Sequence, residues 1–430
     1  MSKYSLFIII TLIIILTSCI QDDSRIDVTS NPTFKQFEFK VIKGLRITTD
    51  GKYAYVLEPL ESGYGINKVK IEDGKVISER IITMIEVARG PKVPMIIHIK
   101  GDGWNITLES PHGLRLSDII SFNNSIYVAG IEIVKVKDSK VRWIKEFMID
   151  VFSYEGTRDN PKQVYYRINL DISEMESDGK YIYLNGGPII KTDDNLNIIW
   201  AIHAGKIRDI TVSDGIYAVK RNCIIKLDKN GEVEWVVTLK SDEKIKRNIP
   251  EEKRKAKADE IKDKEEFVEV MRYSVNIFTI YVEDCIYVAG IIEEIGSKTY
   301  PFIAKLSKSG DILWIKVLNS TYGSYVCIVG KILKCKNNYI AWIDKDILIF
   351  DENGRIIDYY EVNGVVSDID IIGDKILLTS VEPERVKIEK KDDGLECIQI
   401  DIKIDIKVIK GLIETKRIDD KIKVVEHYSI

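Results

Sequence analysis

The sequence contains few of the residues on which metal and nucleophile chemistry usually depends. Only four His and six Cys occur in 430 residues. The histidines His98, His112, His203 and His427 are far apart and lack metal-ligand spacing. Neither a G-x-S-x-G nucleophile elbow nor a phosphate-binding P-loop is present. We therefore predict no bound metal and no cofactor.

An excess of either charge is also missing. Lys and Arg number 63, Asp and Glu number 67, and the formal net charge is −4. Without a basic face or a charged tail, nucleic acid is not a predicted partner. Hydrophobic residues make up 45% of the chain and charged residues 30%, which is typical of a globular body with a large core.

Cysteine is too scattered to predict a disulfide framework. Apart from Cys19, which belongs to a motif near the amino terminus, an odd number remains, at Cys223, Cys285, Cys327, Cys335 and Cys397. We interpret these five as small, buried apolar side chains.

One β-hairpin pattern recurs along the sequence. Residues Phe302–Leu318 form an alternating strand, a Ser-Lys-Ser-Gly turn, and a second strand with Trp314 four residues after the turn glycine. With more drift in some copies, the pattern returns at Ile66–Ile81, Ile133–Phe147, Pro188–His203, Cys223–Leu239 and Asp346–Val362. Self-similarity of this kind indicates a repeat architecture.

Another pair of short strands precedes each hairpin, most clearly at Leu116–Gly130, where the turn is Asn123-Asn124. Aligned on their second strands, seven units begin near Leu45, Leu116, Ser173, Lys206, Ile277, Gly330 and Ser367. Seven four-stranded antiparallel units predict an all-β chain folded as a seven-bladed β-propeller. The drift of the repeat leaves six or eight blades as alternatives.

The hairpin resembles the repeat of PQQ-type β-propellers, whose pattern is close to Leu-Asp-x-x-x-Gly-x-x-x-Trp. The matching residues here are Leu227, Asp228, Gly231 and Trp235, and again Leu306, Gly310 and Trp314. The WD40 repeat matches less well, because its Gly-His and Trp-Asp signatures are absent. The resemblance implies a propeller fold of the WD40 and quinoprotein type and transfers no activity. Bacterial lipoproteins of similar layout act as scaffolds in envelope complexes.

The amino terminus predicts export. Lys3 precedes an apolar run from Tyr4 to Leu16, which is short for a bilayer span and suits a signal peptide. The tetrapeptide ending at Cys19 resembles the lipobox of prokaryotic lipoproteins, which implies lipidation of Cys19, and an uncleaved signal anchor is the alternative. We predict a leader or anchor at 1–19, a tether at 20–33 and one propeller domain at 34–430, outside the cytoplasm and attached to the membrane. Candidate glycan acceptors of an exported chain are Asn105, Asn123 and Asn319.

The long departures from the repeat share one face of the predicted propeller. Links from a fourth strand to the next blade, and from a second to a third strand, lie on one face, here called the insertion face. Insertions at 84–113, 148–167 and 240–273 fall at such links, and a short charged helix is predicted within 240–266. The opposite turn face carries tight turns. Long loops on a rigid scaffold commonly bind, so we predict a protein partner there and expect 84–113 or 240–273 to be removable without unfolding.

A ring of mostly charged residues is predicted at the channel mouth on the insertion face. One residue starts the innermost strand of each unit, and the seven are Arg46, Asp118, Glu174, Asp209, Phe278, Lys331 and Asp368. Four acids against two bases make the ring negative, so a cation or small polar ligand is one hypothesis. Capping of neighbouring backbone, or pairing of these side chains with one another, is the other.

Ring closure is predicted to use the chain ends. Residues Ile398–Val408 alternate apolar and polar as a strand with one buried face, and Lys421–Val425 is predicted as the last strand. Phe34–Val41 is expected to complete a blade beside them.

The function predicted from the sequence is a non-catalytic scaffold, tethered to the membrane outside the cytoplasm, that binds a protein or ligand. The alternative is a PQQ-like or saccharide-acting enzyme with its site at the channel mouth. That enzyme would need Asp118 and Asp368 for activity.

Overall fold

The computed structural model describes residues 37–87, 95–110, 115–157, 160–239, 273–294, 299–318, 330–343, 345–391, 397–398, 416–418 and 421–430. The predicted leader, lipobox and tether at 1–33, the predicted helix within 240–266 and the sequon at Asn319 lie outside these residues. In the part of the chain that is described, no helix has the length and apolarity needed to cross a bilayer.

The chain enters through β1 (Glu38–Lys43) and then builds four sheets in order. Blade 1 contains β2 (Arg46–Thr49), β3 (Ala54–Leu60), β4 (Gly63–Glu72), β5 (Lys75–Val87), β6 (Met95–Gly101) and β7 (Trp104–Ser110). Blade 2 contains β8 (Leu116–Phe122), β9 (Ser125–Gly130), β10 (Glu132–Lys137), β11 (Lys140–Thr157) and β12 (Asn160–Asn169). Blade 3 contains β13 (Glu174–Ser177), β14 (Ile182–Asn185), β15 (Pro188–Thr192) and β16 (Ile198–His203). Blade 4 contains β17 (Asp209–Val212), β18 (Ile216–Lys220), β19 (Cys223–Leu227) and β20 (Val233–Thr238).

Three further sheets and a tail follow. Blade 5 contains β21 (Tyr273–Val282), β22 (Ile286–Glu294), β23 (Thr299–Leu306) and β24 (Ile312–Leu318). Blade 6 contains β25 (Gly330–Cys335), β26 (Asn338–Ile343), β27 (Asp346–Phe350) and β28 (Ile356–Asn363), and blade 7 contains β29 (Asp368–Ile372) and β30 (Lys375–Ser380). After one turn of 3-10 helix at Pro383–Arg385, the tail forms β31 (Lys387–Lys390), β32 (Cys397–Ile398), β33 (Lys416–Arg417) and β34 (Ile422–Ser429).

The core consists of seven apolar clusters, and each cluster lies between two neighbouring blades. One joins blades 1 and 2, the next joins blades 2 and 3, and the series continues round to a cluster between blades 7 and 1 that contains Ile42, Ile47 and Leu377. The innermost strands of neighbouring blades also touch all the way round. The predicted all-β, seven-bladed propeller is therefore confirmed, and the six- and eight-bladed alternatives are excluded.

Strand β1 closes the ring from within blade 7. It pairs with β30 in parallel, from Glu38 opposite Lys375 to Lys43 opposite Ser380, whereas the third strands of the other blades are antiparallel. Its direction follows from its short link to blade 1, since β2 begins three residues after β1 ends. The predicted closing role of Lys421–Val425 is wrong, because β34 pairs with β11 of blade 2. Most of 398–408 lies outside the described residues.

The repeated tryptophan packs against the turn of the next blade. Trp200 of blade 3 donates its indole N–H to Lys229 O at 3.1 Å, and its ring lies against Gly231 of blade 4. Trp314 makes the same contact with Glu352 O at 3.2 Å and lies against Gly354. These turn glycines have positive φ, and an added Cβ would press on the indole. At these two interfaces the tryptophan lies on one blade and the glycine that accommodates its ring lies on the next.

Blade 1 has no tryptophan at the repeat position, which is Ser78, and the insertion at 84–113 supplies one. Trp104 on β7 donates its indole N–H to Ser139 O in the turn of blade 2, at 3.0 Å. Strands β6 and β7 extend the sheet of blade 1, and Ile97 and Ile99 are fully buried against blade 2. Excision of 84–113 would strip these side chains from a core cluster, which argues against the expectation that it can be removed without unfolding.

The tail runs back around the outside of the ring. Strand β31 pairs with β28 of blade 6, β32 with β24 of blade 5, β33 with β16 of blade 3 and β34 with β11 of blade 2. Each adds an antiparallel strand to the outer edge of a blade. An unpaired outer edge presents free N–H and C=O groups, so the described tail strands protect four of these edges.

Candidate functional site

Six of the seven predicted ring residues lie at one level of the central channel. Each lies on the innermost strand of its blade, opposite the same repeat position of the second strand. For example, Asp118 lies opposite Ala129, and Asp209 lies opposite Val219. Phe278 does not share this level, because a β-bulge between Ile277 and Thr279 shifts the register. Thr279 lies opposite Ala289 and takes the ring position of blade 5. The assignment of Phe278 to the ring is therefore wrong by one residue.

The ring carboxylates bind the backbone of the next blade. In each case the carboxylate accepts a hydrogen bond from the backbone N–H of the residue that directly follows the ring residue of the next blade. The bonds are Met175 N to Asp118 Oδ2 at 2.6 Å, Ile210 N to Glu174 Oε2 at 3.0 Å, Ile280 N to Asp209 Oδ2 at 2.7 Å and Ile47 N to Asp368 Oδ2 at 3.0 Å. Four of the seven interfaces are thus joined by a hydrogen bond from an amide to a carboxylate.

The two ring bases also bridge blades. Arg46 donates from Nε to Ser117 O at 2.6 Å and from a terminal nitrogen to Ser367 O at 2.9 Å, which links blade 1 to blades 2 and 7. Lys331 Nζ lies 3.2 Å from Asp368 Oδ1 across the interface of blades 6 and 7. Burial would lower the pKa of Lys331, but the carboxylates of Asp368 and Asp370 raise it above its ordinary value.

A second level of acids lies two residues further along the inner strands and was missed in the sequence. Glu176 and Asp370 follow the ring residues Glu174 and Asp368 at the spacing that keeps side chains on the same side of a strand. Burial, with the nearby charge of Asp209, raises the pKa of Glu176 to about 8. Burial raises the pKa of Asp370 to about 6. The signal was available, since both are acidic at the same offset.

Burial also disfavours the charged form of two ring acids. It raises the pKa of Asp118 to about 6, against the opposing effect of Arg46. Burial and the adjacent carboxylate of Asp209 raise the pKa of Glu174 well above its ordinary value. The buried side chain of Asn185 donates to Glu174 Oε2 at 3.2 Å. The centre of the channel therefore holds a set of carboxyl groups that are partly protonated near neutral pH.

The part of the chain that the structure describes offers no cluster of side chains that would bind a metal ion. There, no group of three or more His, Cys, Asp or Glu side chains is placed to hold a metal ion. The ring carboxylates can accept further hydrogen bonds at the channel mouth, so ligand binding by Arg46, Asp118, Glu174, Asp209, Lys331 and Asp368 stays a prediction.

Four blades rise above the ring on the insertion face. In blade 1 the second strand continues from Leu57, opposite Arg46, to Leu60. In blade 5 it continues from Ala289, opposite Thr279, to Glu294. The second strands of blades 3, 4, 6 and 7 end at most one residue past ring level. In blade 6 the fourth strand continues from Tyr360, at ring level, to Asn363. The described strands therefore form two walls, one at blades 1 and 2 and one at blades 5 and 6.

The wall of blade 2 is the tallest. Its fourth strand, β11, reaches ring level at Lys145 and runs on to Thr157, which is about 40 Å at about 3.3 Å per residue. Met148 and Ile149 pair with both β12 and β34, so those two strands lie on opposite edges of β11. From Trp143 to Glu146, β11 pairs with β10 on one edge and with β34 on the other. Strand β12 pairs with the edge of β11 that β34 leaves free, so it lies on the inner edge, in line with β10. The hairpin of 148–167 thus rises on the channel side.

The other predicted modification and insertion residues lie as follows. Asn105 on β7 and Asn123 in a turn of blade 2 are both exposed, so glycosylation there stays a prediction. Of the insertion at 240–273 only Tyr273 is described, as the first residue of β21. Of the cysteines, Cys223, Cys285 and Cys335 are free thiols, and Cys335 is buried.

Comparison with solved structures finds WD40 β-propeller domains. The WD40 domain of Neurospora crassa Pan2 is 10% identical and covers 82% of this chain and 90% of its own, with a TM-score of 0.44. The WD40 domain of Toxoplasma gondii coronin is 7% identical, with coverages of 85% and 82% and a TM-score of 0.42. BBS1N, solved in complex with ARL6DN, is 10% identical, with coverages of 77% and 88% and a TM-score of 0.38. With TM-scores this low, the fold assignment rests on the strand pairing above.

No protein-family model matches the chain, and no curated protein matches it either.

The hydrogen bond of Asp209 predicts a structural role for the ring. At pH 6, Asp209→Ala should lower the free energy of unfolding by about 1–3 kcal/mol, because the Ile280 N–H loses its acceptor. Asp209→Asn should cost less than half as much, since its side-chain oxygen can still accept. Denaturant unfolding measures both, with Asp284→Ala, at an exposed turn position of blade 5, as the control. Equal stability of Asp209→Ala and the control would contradict the role.

The raised pKa of Glu176 predicts a pH-dependent stability. The folded protein holds this proton up to about pH 8, whereas the unfolded chain releases it near the ordinary value of 4.5. Its stabilising contribution is complete below pH 4.5 and is lost as the pH rises to about 8. Glu176→Gln should therefore match the parent near pH 4 and exceed its free energy of unfolding by about 1–3 kcal/mol at pH 9.

Denaturant unfolding between pH 4 and pH 9 checks this difference. Glu352→Gln, in an exposed turn outside the channel, is the matched control and should show a flat difference. A flat difference for Glu176→Gln as well would refute the prediction.

Proposed function

We propose that this chain is a non-catalytic binding scaffold that seats a protein partner on its insertion face. The observation that carries the proposal is the pair of strand walls that rise on that face. They are extensions of paired sheets, so the backbone groups of the walls are largely fixed before a partner arrives. A rigid, preformed surface lowers the entropic cost of association.

The three remaining blades support the same proposal. The described strands of blades 3 and 4 on one side, and of blade 7 on the other, end close to ring level between the two walls. Among the described strands this leaves a trough across the channel mouth. An elongated segment of a partner protein fits such a shape better than a small substrate does.

The alternative, an enzyme acting at the channel mouth, has no comparable support. Asp118 and Asp368, its candidate catalytic residues, each accept a backbone N–H of the next blade. Asp368 also pairs with Lys331. These contacts assign both carboxylates to the joining of blades, and we do not propose a reaction.

We further propose that the propeller is of the PQQ type and is held outside the cytoplasm by a lipid on Cys19. The packing of Trp200 and Trp314 on the turn glycines of the next blade supports the type, because the PQQ-type pattern pairs these two residues. The tetrapeptide ending at Cys19 supports the lipid anchor, and an uncleaved signal anchor is the competing attachment.

Site-specific photo-cross-linking in native membranes tests the insertion face. A cross-linking residue at Ser62 on the blade 1 wall, and separately at Ser274 on the blade 5 wall, should yield the same discrete adduct by mass spectrometry. The matched controls are Asn230 and Asn353, which are also exposed but lie in turns on the opposite face. Adducts that form equally from all four positions, or from the turn face alone, would overturn the proposal.

Labelling with a fatty acid tests the anchor. Cys19→Ala should abolish incorporation of labelled palmitate, whereas Cys223→Ala should leave it intact, because Cys223 lies within blade 4. The intact mass of the membrane-extracted parent should correspond to a lipidated chain that begins at Cys19. A mass that begins at Met1 without lipid would favour the signal anchor instead.

A further inference from the structure

The C-terminal residues 416–418 and 421–430, here called the terminal segment, lie on the outer edges of blades 2 and 3. Strand β33 pairs with Ile202 and His203 of blade 3, and β34 pairs with β11 from Trp143 to Ile149. The segment is not joined to either blade by a hairpin. The tail strand described before it, β32, lies on blade 5, so the segment is recognised as a separate strand.

The contacts of the terminal segment are specific. Ile418 and Ile422 are 5% and 6% exposed, and both enter the apolar cluster between blades 2 and 3. Two ion pairs fix the register, Lys145 Nζ to Glu426 Oε2 at 3.2 Å and Lys423 Nζ to Asp150 Oδ2 at 3.4 Å. The edges of blades 2 and 3 therefore recognise particular side chains of the terminal segment as well as its backbone.

The terminal segment is nevertheless lightly held. Among the residues that the structure describes, it is bonded along one edge only, and most of its side chains whose burial is described face solvent, with Val424 37% and Ile430 71% exposed. Strands with few buried side chains open locally at a small fraction of the global unfolding free energy. Detachment of this segment is thus much easier than unfolding of a blade.

The outer edge of β11 would be unstable without a strand beside it. Departure of β34 would free the N–H and C=O groups along β11 and uncover Trp143 and Phe147, which share the cluster with Ile418 and Ile422. Such an edge readily takes up another strand. The strand with matching charges and apolar side chains is the same segment of another copy.

We propose that the outer edges of blades 2 and 3 form a strand-addition site that accepts the terminal segment of a second copy of this chain in place of its own. The contacts made in cis and in trans are identical, so exchange costs only the loss of intramolecular effective concentration. The product is a concentration-dependent association of intact propellers. It is independent of the partner proposed for the insertion face.

Isotope mixing of the full-length chain tests the exchange. A photo-cross-linking residue replaces the exposed Val424 in a nitrogen-15-labelled copy, which is incubated with unlabelled chain and then irradiated. Cross-linked peptides that join a labelled segment to an unlabelled β11 near Met148 should appear and should increase with protein concentration. The same cross-linker at Val365, which is 68% exposed and outside the segment, should give none.

Ile422→Ala should speed the appearance of mixed cross-links by about tenfold, since it removes a buried anchor. Ile430→Ala is the matched control and should leave the rate unchanged, because Ile430 is largely exposed. Hydrogen exchange of the β34 amides reports opening separately. Cross-links within single copies alone would overturn the proposal, whether the β34 amides exchange rapidly or stay protected.

Discussion

Each blade has two apolar faces, and the rest of the structure follows from the need to cover both. A sheet such as blade 4 buries Ile224 and Val237 against one neighbour and Ile225 and Val236 against the other. A row of such sheets would always leave two faces open at its ends. Closure into a ring removes the ends, and the cluster between blades 7 and 1 is therefore as necessary as the other six.

The centre of the ring poses a different physical problem. The innermost strands have no further strand beside them, so their backbone amides need acceptors from elsewhere. Carboxylates at ring level supply four of these acceptors and join the blades at the same time. Burial of acids in the channel, together with the nearby charge of Asp209, then raises the pKa of Glu174 and Glu176. The electrostatic character of the channel is a by-product of how it is held together.

The repeat in the sequence was enough to predict seven blades, because the second strands recur in seven units, and Trp143, Trp200, Trp235 and Trp314 mark the same structural position in four of them. The level of the ring followed from the same phase, and it failed at Phe278, where a bulge adds one residue that periodicity alone does not show. Trp104 was missed because it makes the tryptophan contact with the turn of the next blade from a strand that lies outside the repeated hairpin.

The tail was the least predictable part. Strands of two residues, such as β32 and β33, are too short to carry an alternating pattern. Their positions depend on edges that other blades present, which is tertiary information. A terminal strand was predicted at Lys421–Val425, but nothing local distinguishes the edge of blade 2 from that of blade 7 as its partner.

The parallel direction of β1 has a consequence for how the molecule faces its surroundings. Strand β30 runs from the turn face to the insertion face, and β1 runs beside it in the same sense, so the chain reaches Glu38 from the turn face. An antiparallel third strand would have brought it from the other side. Residues 20–33 can span at most about 45 Å. If Cys19 carries the proposed lipid, the attachment point therefore lies on the side of the turn face, and the strand walls lie on the opposite side of the propeller.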